Sequence, residues 1–118
     1  MLLGFGTDSQ GNPALAERQG AQLAKLDRYF EPWEVLKVAT SQNYEIFKRS
    51  GPRDPYPGDN GVVREGAHAD LLLVDGNPLE DFSVVGTGTK WFGAELRPES
   101  PETIRIIMKD GQVYKNTL

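Results

Sequence analysis

The sequence predicts an α+β chain, with its helices first and its strands after. Three observations carry this. Between Asn12 and Lys48 the apolar residues recur at helical spacing. Leu71-Leu72-Leu73-Val74 is an unbroken apolar run of strand length. Asp110-Gly111 is a two-residue turn signal set between two apolar stretches.

Taken in order, residues 1–5 form a short apolar run closed by Gly6, which reads as a buried strand. The polar cluster at residues 7–12 ends it. Asn12-Pro13 is a helix start, because Asn caps and Pro fits the first turn. Leu15, Leu23, Leu26 and Phe30 share one helical face as far as Glu31. Pro32 stops that helix and opens a second, which runs to about Lys48 with Val35, Leu36, Ala39, Ile46 and Phe47 in period. Thr40 is a candidate cap for a fresh turn, which would divide this stretch into two short helices.

Residues 50–61 are rich in Pro, Gly and Asp and form a loop, the natural boundary of the chain. Val62-Val63 is a short strand candidate. Residues 69–74 read as a strand buried on both faces. Asp75-Gly76-Asn77-Pro78 is a turn by composition, and residues 78–82 suit one helical turn. Residues 86–101 are irregular; Trp91 and Phe92 there are an aromatic pair that could line a site but more often packs on a domain's own surface. Residues 103–108 and 112–114 should pair antiparallel across Asp110-Gly111, since two residues cannot make a parallel crossover.

A chain of 118 residues suits one modest domain. Its net charge of −4 argues against nucleic acid and anionic membrane surfaces as partners, since both attract basic patches. The absence of cysteine excludes disulfides and thiolate metal sites. No stretch approaches the ~20 apolar residues of a membrane span. Residues 1–6 are too short for a signal peptide and lack a basic start, and Met1 reads equally as a natural start or a truncation.

Four stretches, in this order, resemble the amidohydrolase superfamily, closest to its imidazolonepropionase-like and prolidase-like members. Gly6-Thr7-Asp8-Ser9 resembles the end of the eighth barrel strand, and Pro32-Trp33-Glu34-Val35-Leu36-Lys37-Val38-Ala39-Thr40 the helix that follows. Residues 61–66 and then Ala69-Asp70-Leu71-Leu72-Leu73-Val74-Asp75-Gly76-Asn77-Pro78-Leu79 resemble re-entry into a small β-domain. Ile107-Met108-Lys109-Asp110-Gly111-Gln112-Val113-Tyr114 resembles its closing hairpin.

The resemblance implies the end of a (β/α)8 barrel at residues 1–50, a linker at 51–61, and the C-terminal part of a composite β-sandwich at 62–118. It implies a parent enzyme that hydrolyses C–N bonds of amides, cyclic amides or dipeptide-like compounds with a divalent metal, zinc first. In such barrels the chemistry sits at the C-terminal strand ends. Asp8 stands at such an end, and the resemblance gives it both metal binding and the proton taken from the attacking water. The departure is as informative. The family's other ligands are a His-x-His, a lysine or carboxylated lysine, and two single histidines, whereas this chain has one histidine in total. Three protein ligands are typical of catalytic zinc, so the isolated chain is expected to hold no metal and to be inactive.

The remaining polar residues have plainer readings. Thr7 and Ser9 suit turn or capping roles. His68 lies just before a strand and suits surface packing. Asp70, Asp75 and Asp110 bracket strand and turn, Asp59 and Asp81 sit in loops, Glu65 and Glu80 look solvated, and none forms a pair spaced for acid–base work. An alternative from another class stays open: a non-catalytic module that self-associates. Either way a homo-oligomer is expected, because free strand edges and uncovered apolar faces invite pairing.

Overall fold

A computed structural model describes residues 1–16, 19–86 and 102–118. Trp91 and Phe92 lie outside the described residues, as does most of the irregular stretch around them. The helices are α1 (Pro13–Ala16), α2 (Gln19–Ala24), α3 (Pro32–Lys37) and α4 (Asn43–Lys48). A 3₁₀ turn at Lys25–Arg28 follows α2, and a π-helical turn at Val38–Gln42 joins α3 to α4. The strands are β1 (Leu71–Val74), β2 (Ile104–Lys109) and β3 (Gln112–Asn116). They form one antiparallel sheet in the order β1-β2-β3. The α+β class and the helices-then-strands order stand as expected.

Local chemistry explains most boundaries. The Asn12 side chain accepts from the Ala14 N–H at 3.1 Å, which opens α1. Pro32 opens α3, and the Glu34 carboxylate reaches back to the Glu31 N–H at 3.0 Å. Asp110 and Gly111 both have positive φ, 49° and 76°, the twist that a two-residue hairpin turn requires. The Asp81 carboxylate accepts from the Ser83 N–H at 3.0 Å and starts a 3₁₀ turn at Phe82–Val85.

Four expectations need correction. Residues 1–5 belong to no sheet, because no described strand lies beside them to pair with. Val62-Val63 is a bend, not a strand, and Val63 is 88% exposed. Thr40 caps nothing: its hydroxyl donates back to the Leu36 carbonyl at 2.6 Å, and the helix passes through a π turn instead of restarting. Finally, β1 is not buried on both faces. Leu71, Leu72 and Leu73 are 38%, 56% and 47% exposed, because the described residues cover neither face of the strand fully.

The core is correspondingly small. Val35, Phe82, Val84 and Val85 form its buried cluster, with Leu23, Ala24, Leu26, Leu36 and Val74 packed around it. It therefore lies between α2–α3 and the Phe82–Val85 turn, and touches the sheet through Val74. The loop at residues 54–61 ties the halves together. The Tyr44 hydroxyl donates to the Gly58 carbonyl, Lys48 pairs with Asp54 at 2.7 Å, and the Lys109 ammonium stands 5.5 Å from the Tyr56 ring centroid.

Candidate functional site

Asp8 sits in a chain segment held at two points. Upstream, the Phe5 N–H donates to Asn43 Oδ1 at 2.8 Å, and Asn43 Nδ2 donates to the Phe5 carbonyl at 2.9 Å. Downstream, the Asn12 N–H donates to the Ser9 carbonyl at 2.7 Å, closing a turn that leads into α1. Asp8 itself has φ +50° and Gln10 φ +33°, left-handed conformations that are uncommon for residues with a Cβ and that collect at functional sites. Its side chain is exposed, and no described residue bonds to it. Thr7 and Ser9 are half-buried beside it, and Ser9 serves the turn through its carbonyl.

Several of the other aspartates hold loops. Asp70 accepts from the Asp110 N–H at 2.7 Å and from Lys109 Nζ at 3.3 Å. The backbone bond first, then the lysine, hold the Asp70 carboxyl below the ordinary aspartate range and lift Lys109 above its own. Asp70 thus clasps the turn of the β2–β3 hairpin to the start of β1. Asp59 is held low by the Arg64 guanidinium and, less, by Tyr44; Asp54 is held low by Lys48. Asp75 pairs with Arg105 at 3.2 Å across β1 and β2.

His68 joins the same scaffold. Its Nε2 lies 2.7 Å from the Pro57 carbonyl, which only accepts, so that nitrogen donates. Its Nδ1 faces Asp110 at 3.5 Å, so the ring bridges the loop to the hairpin turn. Glu65 and Glu80 are exposed as expected. Sequence reasoning missed Asn43, whose signal was faint: a polar residue on an amphipathic helix, beside a π turn that no periodicity announces.

Among the described residues no group of three or more His, Cys, Asp or Glu side chains could hold a metal ion. The donor set present therefore does not fit a catalytic zinc, and Asp8 stands as one carboxylate without companions. An open groove of about 180 Å³ lies by the N-terminus, lined among others by Leu3, Phe30, Trp33 and Gln42, whose buried Oε1 has no hydrogen-bond partner among the described residues.

No family model and no curated protein matches the chain. Solved structures do. A crystal structure of an amidohydrolase superposes with a TM-score of 0.67 at 34% identity, over 98% of this chain and 23% of that one. A crystal structure of a prolidase complexed with N-methylphosphonate-L-proline gives a TM-score of 0.67 at 27% identity, over 97% of this chain and 23% of that one. Along nearly its whole length this chain is similar to one segment of solved amidohydrolase and prolidase structures. The match is consistent with the C-terminal part of such an enzyme, and it supports a hydrolase family at a coarse level. This chain spans less than a quarter of the solved chains it matches.

Proposed function

We propose that this chain is the C-terminal portion of a metal-dependent amidohydrolase acting on C–N bonds, and that alone it turns over no such substrate. Residues 1–6 would be the last strand of a (β/α)8 barrel and α1–α4 the helices after it. The sheet β1–β3 would be part of the small β-sandwich beside the barrel. What carries the reading is the amidohydrolase likeness along 98% of this chain at 34% identity. The uncovered leucines of β1 support it, since such faces are built to be packed against. Asp8 is the carboxylate this segment would bring to the metal, with the remaining ligands supplied from outside it. The substrate would be an amide, a cyclic amide or a dipeptide-like compound; the prolidase bound to a proline phosphonate points to the last.

The test joins this chain to the polypeptide encoded upstream of its Met1 codon. The joined protein is expected to bind zinc and to hydrolyse a panel of amides and dipeptides, and Asp8→Asn should abolish turnover. The 118-residue chain alone should show none. Turnover by the chain alone that vanishes in Asp8→Asn would overturn the proposal, as would a joined protein indifferent to that substitution.

A second reading is favoured by one observation. One side of β1 pairs with β2 while its other edge is free among the described residues, beside exposed leucines. This suits a non-catalytic module that self-associates through that edge.

A further inference from the structure

We propose that Asn43 is a positioning residue for Asp8, an inference that rests on the functional reading given to Asp8 above. The carboxamide of Asn43 makes three bonds. Its Oδ1 accepts from the Phe5 N–H at 2.8 Å, and its Nδ2 donates to the Phe5 carbonyl at 2.9 Å and to the Ala39 carbonyl at 3.4 Å. Reversing the amide would set a donor against the Phe5 N–H, so the network fixes its orientation. The two bonds to Phe5 are the pair that a residue in a sheet exchanges with a neighbouring strand. Asn43 therefore replaces a strand neighbour at this one position.

The local fold explains why the side chain arrives there. Asn43 begins α4 directly after the π turn at Val38–Gln42, where an extra residue in the turn shifts the helical register. On the other side of the contact stands Gly4. A Cβ there would come within 2.5 Å of Ile46 Cδ1 and 2.7 Å of Asn43 Oδ1, so any side chain at this position would push the tips of Ile46 and Asn43 aside.

Only Gly6, Thr7 and Asp8 lie between the Phe5 clamp and the Ser9–Asn12 turn. A span that short transmits any displacement of its ends. The backbone that carries Asp8 is thus placed by an amide 35 residues away in the chain.

The experiment uses the full 118-residue chain and nuclear magnetic resonance. In Asn43→Ala the Phe5 amide should exchange about tenfold faster, as expected for one lost hydrogen bond. The backbone amide and carboxyl carbon of Asp8 should move, while the amides of β2 and β3 stay as they were. Asn43→Asp should not restore the wild-type signals, because a carboxylate cannot donate to the two carbonyls. Gly4→Ala perturbs the contact from its other side with Asn43 intact, and should shift Asp8 in the same direction. It also decides the matter should Asn43→Ala unfold the chain.

Unchanged Phe5 exchange in Asn43→Ala would overturn the proposal. So would loss of Phe5 protection with Asp8 signals unmoved, which would reduce Asn43 to a local tie. None of these signals involves a metal, so they are independent of turnover in the joined protein. Indifference of that protein to Asp8→Asn would sink the functional reading alone and leave the Asn43 contact standing.

Discussion

Replacing Val35 by alanine tests where the free energy of this fold resides. Val35 is fully buried, at 0% exposure, in the cluster with Phe82, Val84 and Val85. The substitution removes two methyl groups, worth about 1.6 kcal/mol at ~0.8 kcal/mol each, and the residual cavity raises the cost to about 2–3 kcal/mol. Leu72→Ala is the control. It removes three carbons, but Leu72 is 56% exposed, so about 1 kcal/mol is expected and no cavity forms. The smaller deletion should therefore cost two to three times more.

Urea unfolding at low micromolar concentration reads the difference. With a slope of about 1.5 kcal/mol per molar, Val35→Ala should lower the midpoint by about 1.5 M and Leu72→Ala by about 0.7 M or less. A Val35→Ala cost below about 1 kcal/mol would remove the cluster as the core. Equal costs for the two variants would put Leu72 in a buried interface that the single chain does not show.

Other expectations concern charge and assembly. Asp70→Asn keeps an acceptor for the Asp110 N–H but loses the charge that strengthens that bond; a cost of about 1 kcal/mol should appear as a lowered urea midpoint at pH 7. The same carboxyl titrates low in the folded chain, so its contribution is full above the ordinary aspartate pKa of about 4 and is lost as pH falls through its folded value. Stability followed by circular dichroism should then fall more steeply with acid in the wild type than in Asp70→Asn; parallel curves would refute the clasp. Sedimentation equilibrium over a tenfold concentration range should show mass rising above the 13.1 kDa monomer, with a two-fold dimer the commonest closed form. A clean monomer at every concentration would mean that the exposed face of β1 is tolerated in water.

Some of this was legible in the residues themselves because the controlling forces are local. Asn12-Pro13 and Pro32 start helices through capping and a fixed φ, and they do so wherever the chain goes afterwards. Asp110-Gly111 makes a tight antiparallel turn because both residues tolerate positive φ. The departures arose where a residue's state depends on something distant in sequence. Residues 1–5 have the composition of a strand, but a strand exists only beside a partner, and here the partner is one side-chain amide. Leu71 to Leu73 are apolar enough for a two-sided interior, yet burial is a property of what covers them, and the described residues cover them only in part. The π turn at Val38–Gln42 leaves no mark on the hydrophobic period, so the approach of Asn43 to Phe5 was invisible until the helix was built. The order of elements and the turns follow from local residue chemistry, as does the polar junction that holds Asp8. Which apolar residues are covered, and which side chain holds the Asp8 segment, follow from contacts between residues far apart in the chain.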